Sequence, residues 1–290
     1  MSHSRAVAAR LLAALHWSMA GVVTRDLQSA GSFEATFWRS LFNAAALVLL
    51  LGWLRGWRAL AATLSSGGAT LWLSGACWSV MFTAFMVAIT MTTVANVLVT
   101  MAIVPFVTAL LARFALGHRL PARTWAAVIV AGVGRGHLVG VHPGDADARH
   151  LAGIVVALAV PIAGAINWTV IQKTGKAGND LLPAVLIGAV GCCLVTVLPS
   201  LPFEATGNDV ALLGLLGVAQ LAIPCLIAVA AARHLSAPEA ALLSLLEIVF
   251  GVTWTWLFAG ETPGRHVLVG GLLVIGALVA NEALALRRRP

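Results

Sequence analysis

The chain is a succession of apolar stretches about as long as a bilayer is thick, joined by turns too short to hold a soluble domain. Ten are read: Val7–Val23, Phe33–Leu51, Thr70–Ile89, Val94–Phe114, Thr124–Val141, Leu151–Ile171, Leu181–Leu201, Val210–Ala231, Ala237–Ala259 and His266–Leu286. A helix rising about 1.5 Å per residue needs about 20 mainly apolar residues to cross a hydrocarbon core roughly 30 Å thick. The composition agrees, since 60% of the 290 residues are hydrophobic and only 10% are charged. That is more apolar surface than one soluble core can hide. The stretches are apolar all round and rich in Ala, Leu, Val and Gly, whereas barrel strands would alternate, so the expected spans are helices.

Orientation follows from the basic residues, which stay on the cytoplasmic side. One parity of loops and span ends collects Arg5, Arg10, Arg55, Arg58, Arg113, Arg119, Arg123, Lys173, Lys176, Arg233, Arg287, Arg288 and Arg289, which is 13 of the 18. The opposite loops hold Arg25, Arg149 and Arg265 beside Asp26, Glu34, Asp145, Asp147, Glu204, Asp209 and Glu261. Both termini are therefore predicted on the cytoplasmic face of the inner membrane. The net charge of +7 reads as a topology signal. No basic face with interleaved aromatics lies outside the spans, so nucleic acid is not an expected partner. The first span follows Arg5 and Arg10 but lacks a convincing cleavage site, and it is read as a retained helix.

A passage of the first half recurs in the second. TVANVLVTMAIVPFVTALLARFALGHRLPAR corresponds to SAPEAALLSLLEIVFGVTWTWLFAGETPGRH, with Gly117 opposite Gly260, 143 residues apart. The shared feature is a profile: a long apolar segment, a Gly-bounded polar turn, then another apolar segment. The copies occupy spans four and five and spans nine and ten, and an offset of five makes them run in opposite directions. The expected fold is thus an all-α polytopic membrane protein of ten transmembrane helices, two inverted five-helix repeats (1–145 and 146–290) around a central cavity. Such repeats support alternating access.

These residues resemble the EamA-type branch of the drug/metabolite transporter superfamily over essentially the whole chain. The resemblance is carried by LLAALHWSMAGVV in the first span, Arg39 within FWRSLFNAAAL, PFVTALLARFALGHRLPARTW, and LLEIVFGVTWTWLFAGETP. The chain departs from the family at Glu247-Ile248, where Glu-Pro is usual, and at Gly117-His118, where Gly-Glu is usual. The resemblance implies the ten-helix inverted-repeat fold, cytoplasmic termini and export of amino acids, metabolites or drugs. The nearest likeness is to bacterial exporters of aromatic and other neutral amino acids.

Candidate functional residues are those whose chemistry is costly in a bilayer. His16 lies near the middle of the first span, and Glu247 lies midway along the ninth. An uncompensated carboxylate there costs roughly 3 kcal/mol on insertion scales. A proton-coupling or amine-binding role for Glu247 stands against a structural hydrogen bond between helices, and His16 has the same two readings. Trp17, Trp78, Phe82, Met101 and Trp168 offer flat or polarisable surfaces to an apolar cargo, set against ordinary packing. Thr100 and Gln220, with Asn43, Asn96 and Asn167, could bond a zwitterion's ends or join helices. Arg39 is expected to snorkel, pair with Glu34 or tie helices together. Pro105, Pro161 and Pro224 fall inside spans and kink them, as gating hinges or as static bends. His142, Asp145, Asp147 and His150 match no metal-site spacing, and a short solvated turn is the expectation.

No HExxH, Ser/His pairing or Walker A pattern is present, so neither an enzyme nor an ATP-driven pump is expected, and no cofactor or metal is implied. The leading reading is a secondary exporter of amino acids, aromatic or otherwise neutral, or of similar small metabolites. A drug exporter of the same fold is the alternative, with an intramembrane enzyme or a membrane scaffold as the different classes. Uniport and proton antiport both fit. The expected partners are a small-molecule cargo and lipid, and the oligomeric state is left open.

Overall fold

The computed structural model describes residues 3–101, 103, 104, 107, 148–175, 180–232, 234, 237–260 and, singly, 262, 264, 268, 269, 272, 276 and 280. Among the described residues every regular element is helical and no strand forms. In chain order they are α1 (His3–Trp17), α2 (Ala20–Arg25), α3 (Ser32–Arg55), α4 (Trp57–Ser66), α5 (Ala69–Met91), α6 (Val94–Met101), α7 (Ala148–Ala157), α8 (Ala159–Gly175), α9 (Leu182–Thr196) and α10 (Gly207–Leu215). A π-helical turn over Leu216–Ala222 then leads into α11 (Ile223–Ala232), and α12 runs Ala237–Phe258. Five helical runs are long and apolar enough to cross a membrane: His3–Arg25, Ser32–Arg55, Ala69–Met91, Ala148–Ile171 and Gly207–Ala231. The expected span Thr124–Val141, most of His266–Leu286, most of the second half of Val94–Phe114 and Pro105 lie outside the described residues.

Helix ends follow their local chemistry. Thr206 and Asp209 form a capping box on α10, each side chain taking the other's backbone N–H, which satisfies two donors that a helix start leaves open. α3 carries Glu34 in its first turn and Arg55 in its last, matching the helix dipole at both ends. It stops at Gly56, whose φ of +84° is reached cheaply only without a Cβ. The short helix α4 that follows was not foreshadowed by any apolar stretch. It buries Leu60, and the Trp57 ring lies against Gly52.

Among the described residues three spans are broken, and two of the breaks trace to proline. Pro161 cannot donate to the carbonyl of Ala157, and the helix is interrupted at Leu158, between α7 and α8. Pro224 cannot donate to the carbonyl of Gln220, and the turn ahead of it widens so that the Ile223 N–H reaches the Val218 carbonyl. Widened turns of this kind concentrate at functional sites. The third break, at Ser18 and Met19 between α1 and α2, has no proline. There Met19 N–H bonds the His16 carbonyl at 3.2 Å and the Ser18 hydroxyl donates to Leu15 O at 2.6 Å.

Helices from either side of residue 145 interleave. α1 packs against α11 and α12; α3 against α9, α10 and the π turn; α5 against α7, α8 and α9; α6 against α7 and α12. Side chains sort in the sense a lipid solvent demands. Leu49, Val155, Leu194, Leu198, Trp256 and Phe258 point outward, while Arg10, Arg39, Asn43, Asn167, Gln220 and Glu247 are buried. Polar groups at membrane depth face the bundle interior because hydrocarbon offers them no partner.

Two carboxylates cross-link one end of the bundle. Glu34, at the start of α3, accepts the backbone N–H groups of Glu204 (3.0 Å) and Ala205 (2.9 Å). Asp209, at the start of α10, accepts those of Gln28 (2.8 Å) and Ser29 (3.0 Å). Each carboxylate thereby holds the loop that precedes the other's helix. At another point of the molecule Arg55 forms an ion pair with Asp180.

Candidate functional site

The interior polar groups converge on Arg10. Seven residues into α1, it is only 5% exposed, so a residue read from sequence as a topology-setting charge lies instead inside the bundle. Its guanidinium carbon stands 5.1 Å from the ring centroids of both Trp17 and Trp168, a cation held by two indole faces. Trp168 meets Trp78 edge-on at 5.9 Å, and Trp78 lies 5.3 Å from Phe82. Aromatic contacts of this geometry add about 0.5–1.5 kcal/mol each beyond area burial. Four of the expected aromatics thus form one continuous surface with Arg10.

Glu247, 8% exposed on α12, lies close enough to Arg10 for the two charges to attract each other. The Cys225 thiol of α11 is within electrostatic reach of both and of Arg39. Gln220 donates from Nε2 to the Trp17 carbonyl at 3.1 Å, capping an acceptor freed by the break after α1. The widened turn that carries Gln220 presses on α3: a Cβ on Gly217 would stand 2.5 Å from the Arg39 carbonyl oxygen, so only glycine permits this approach.

Arg39 does not snorkel. At 2% exposure it donates to Met86 Sδ at 3.0 Å and lies 5.7 Å from the Phe85 centroid, tying α3 to α5. Glu34 is instead engaged by the backbone of 204–205 and by Trp38 Nε1 at 3.3 Å. One turn further along α3, both amide atoms of Asn43 are buried without a hydrogen-bond partner among the described residues. The same holds for Gln220 Oε1, Trp78 Nε1 and Arg39 Nε. Buried polar atoms left open in this way are uncommon and point to a ligand or water.

Other expected residues sit elsewhere. His16 Nδ1 is 2.8 Å from the Leu12 carbonyl of its own helix. Thr100 is buried and donates to the Asn96 carbonyl at 2.6 Å. Met101 packs on a separate apolar cluster containing Phe85, Ile89 and Leu98. Asn167 accepts from Ser74 at 2.6 Å, joining α8 to α5. His150 receives the Asn96 side-chain amide at 3.0 Å, and among the described residues no group of His, Cys, Asp or Glu is disposed to hold a metal.

These features define a multi-pass helical membrane protein with a charged, aromatic interior. The sequence matches the EamA-like transporter family over residues 4–136 and again over 151–281, and the chain belongs to that family. It is a transporter of the drug/metabolite class and not an enzyme. No curated protein matches it. One solved structure, titled only as the crystal structure of a protein, shares 17% identity over 99% of both chains with a TM-score of 0.65. That likeness speaks for the fold alone.

Proposed function

We propose that the chain is a secondary transporter of the inner membrane that exports amino acids, aromatic or other neutral ones, by alternating access between 1–145 and 146–290. The observation that carries the reading is that the polar and aromatic cluster lies on the seam between these parts. Arg10, Trp17, Trp78 and Phe82 come from the first, and Trp168, Gln220 and Glu247 from the second. A cargo held there would be released to whichever side the two parts open. The aromatic surface suits an apolar side chain, and the charged groups suit the polar end of a small molecule.

Two further observations support ten spans in two inverted repeats. The family matches twice, on either side of residue 145. Among the described residues several neighbour relations are also kept when each span is exchanged with its fifth successor. The contact of the first span (α1) with the eighth (α11) maps onto that of the sixth (α8) with the third (α5), and the contact of the second (α3) with the eighth onto that of the seventh (α9) with the third. With cytoplasmic termini, the Glu34 and Asp209 clamps lie at the outer end, and Arg55 with Asp180 at the inner end.

The test is flux from proteoliposomes containing the pure protein, each loaded with one labelled amino acid from a broad panel. Exit of a neutral or aromatic member faster than from protein-free vesicles is expected. Equal rates for the whole panel would overturn the reading.

A further inference from the structure

The two parts that match the family, 4–136 and 151–281, are fastened to each other at both ends of α3. Glu34 stands in its first turn and Arg55 in its last, about 30 Å apart on a helix rising about 1.5 Å per residue. α9 runs antiparallel to α3: Ser40 donates to Cys192 Sγ at 3.0 Å, while Arg55 pairs with Asp180, just ahead of α9. At the Glu34 end, Glu34 takes the N–H groups of Glu204 and Ala205, and Asp209 takes those of Gln28, Ser29 and Ala30. At the Arg55 end the fastening is an ion pair between two side chains.

These fastenings differ in kind. Glu34 and Asp209 are buried, their bonds to the backbone are charge-assisted, and salt screens buried charges little. Arg55 and Asp180 keep 23% and 31% of their side-chain surface exposed, and ion pairs open to water hold weakly. Breaking this pair also strands neither charge. Asp180 Oδ1 accepts the Leu182 N–H at 3.1 Å within its own part, and Arg55 sits at the end of α3 where the helix dipole favours a cation. One turn in from Arg55, Leu47 and Leu51 share an apolar cluster with Ala184, Val185 and Ala189 of α9, which supplies contact area without a directional lock.

We propose that Arg55 and Asp180 form a salt-sensitive latch, so that the two parts separate at the Arg55 end while the Glu34 and Asp209 clamp stays shut. Ionic strength then sets how often that end is open. The use of this opening to load a cargo rests on the transporter reading, in which the Arg55 end is cytoplasmic; the latch itself does not.

The test follows the labelling of single cysteines by an uncharged, water-soluble maleimide in the full-length protein, with the four native cysteines replaced by alanine. Leu51→Cys lies one turn in from Arg55 and Ala35→Cys lies beside Glu34; both positions are fully buried. Each rate is divided by that of a cysteine at the exposed Ala59. The Debye length falls from about 10 Å at 0.1 M salt to about 3 Å at 1 M. That change should speed Leu51→Cys labelling roughly twofold to fivefold, the range an exposed ion pair commands, and leave Ala35→Cys unaltered. Arg55→Gln should give the same acceleration at low salt and abolish the salt response. Asp180→Asn should do likewise, and combining the two should add nothing further. A Leu51→Cys rate indifferent to salt, an Ala35→Cys rate that rises as much, or a salt response that survives Arg55→Gln overturns the latch. If Arg55→Gln fails to fold, the salt response of the two cysteines with the ion pair intact decides alone. Amino-acid flux from vesicles combined with a salt-indifferent Leu51→Cys would overturn the latch while sparing the transporter reading. The expected labelling with no flux would do the opposite.

Discussion

Arg10 and Glu247 are buried charges of opposite sign, and charge in a membrane interior is judged in pairs. Removing one partner leaves the other buried and uncompensated, whereas replacing both with apolar groups of similar volume is often neutral or stabilising. Arg10→Met alone is therefore expected to destabilise the protein by about 3–5 kcal/mol, and Arg10→Met combined with Glu247→Met to recover most of that while leaving no amino-acid flux. Thermal unfolding in detergent, followed by flux in vesicles, checks both halves; a double variant as unstable as the single one would refute the pairing. Gly217 makes a steric counterpart. Gly217→Val places side-chain carbon against the Arg39 carbonyl and the Phe42 Cβ, and overpacking of this kind costs about 1–3 kcal/mol. The expected result is a lowered unfolding temperature with a matching loss of folded yield.

At the scale of elements, the prolines and the carboxylate clamps make separate predictions. Pro224→Ala restores a donor for the Gln220 carbonyl and lets the π turn relax toward α-helix, which would rotate Gln220 and press α11 into α1. Its stability is expected to hold while cargo affinity falls, and titration of the tryptophan fluorescence with cargo measures the affinity. Asp209 is held by N–H groups on two segments, and charge-assisted bonds are about twice as strong as neutral ones. Asp209→Asn keeps the shape but loses the charge and one acceptor, so a loss of about 1–3 kcal/mol is expected, together with faster labelling of a cysteine placed near the clamped loop at 28. Unchanged labelling would show that the clamp does not govern that end. Much of this scale was legible in the sequence: the spans begin and stop near their capping residues, and the Pro161 and Pro224 interruptions lie where the missing N–H requires. The break at Ser18 and Met19 was not legible, because no proline or glycine marks it and its stabilising bond comes from Gln220, 203 residues away.

For the whole molecule, the orientation proposed from basic loops predicts that Asp145→Cys and Lys176→Cys, each in a background free of other cysteines, react with impermeant reagents from opposite faces. Labelling from one face would invalidate the ten-span topology.

The apolar stretches by themselves determined that this chain is a bundle of membrane helices, because a bilayer admits no other way to satisfy the backbone of such segments. The repeated profile and the family motifs brought its membership within reach, and Trp17, Trp78, Phe82, Trp168, Gln220 and Glu247 could be nominated from span depth. The tertiary structure decided which of them meet. Helix rotation and the interleaving of spans set Trp168 beside Trp78 and, together with Trp17, beside Arg10, and they turned Thr100, Met101 and His16 to other partners. Those angles follow from side-chain packing summed over many neighbours, to which a linear pattern gives no direct access. For the same reason Arg10 was legible only as a basic residue near a terminus until the folded bundle enclosed it.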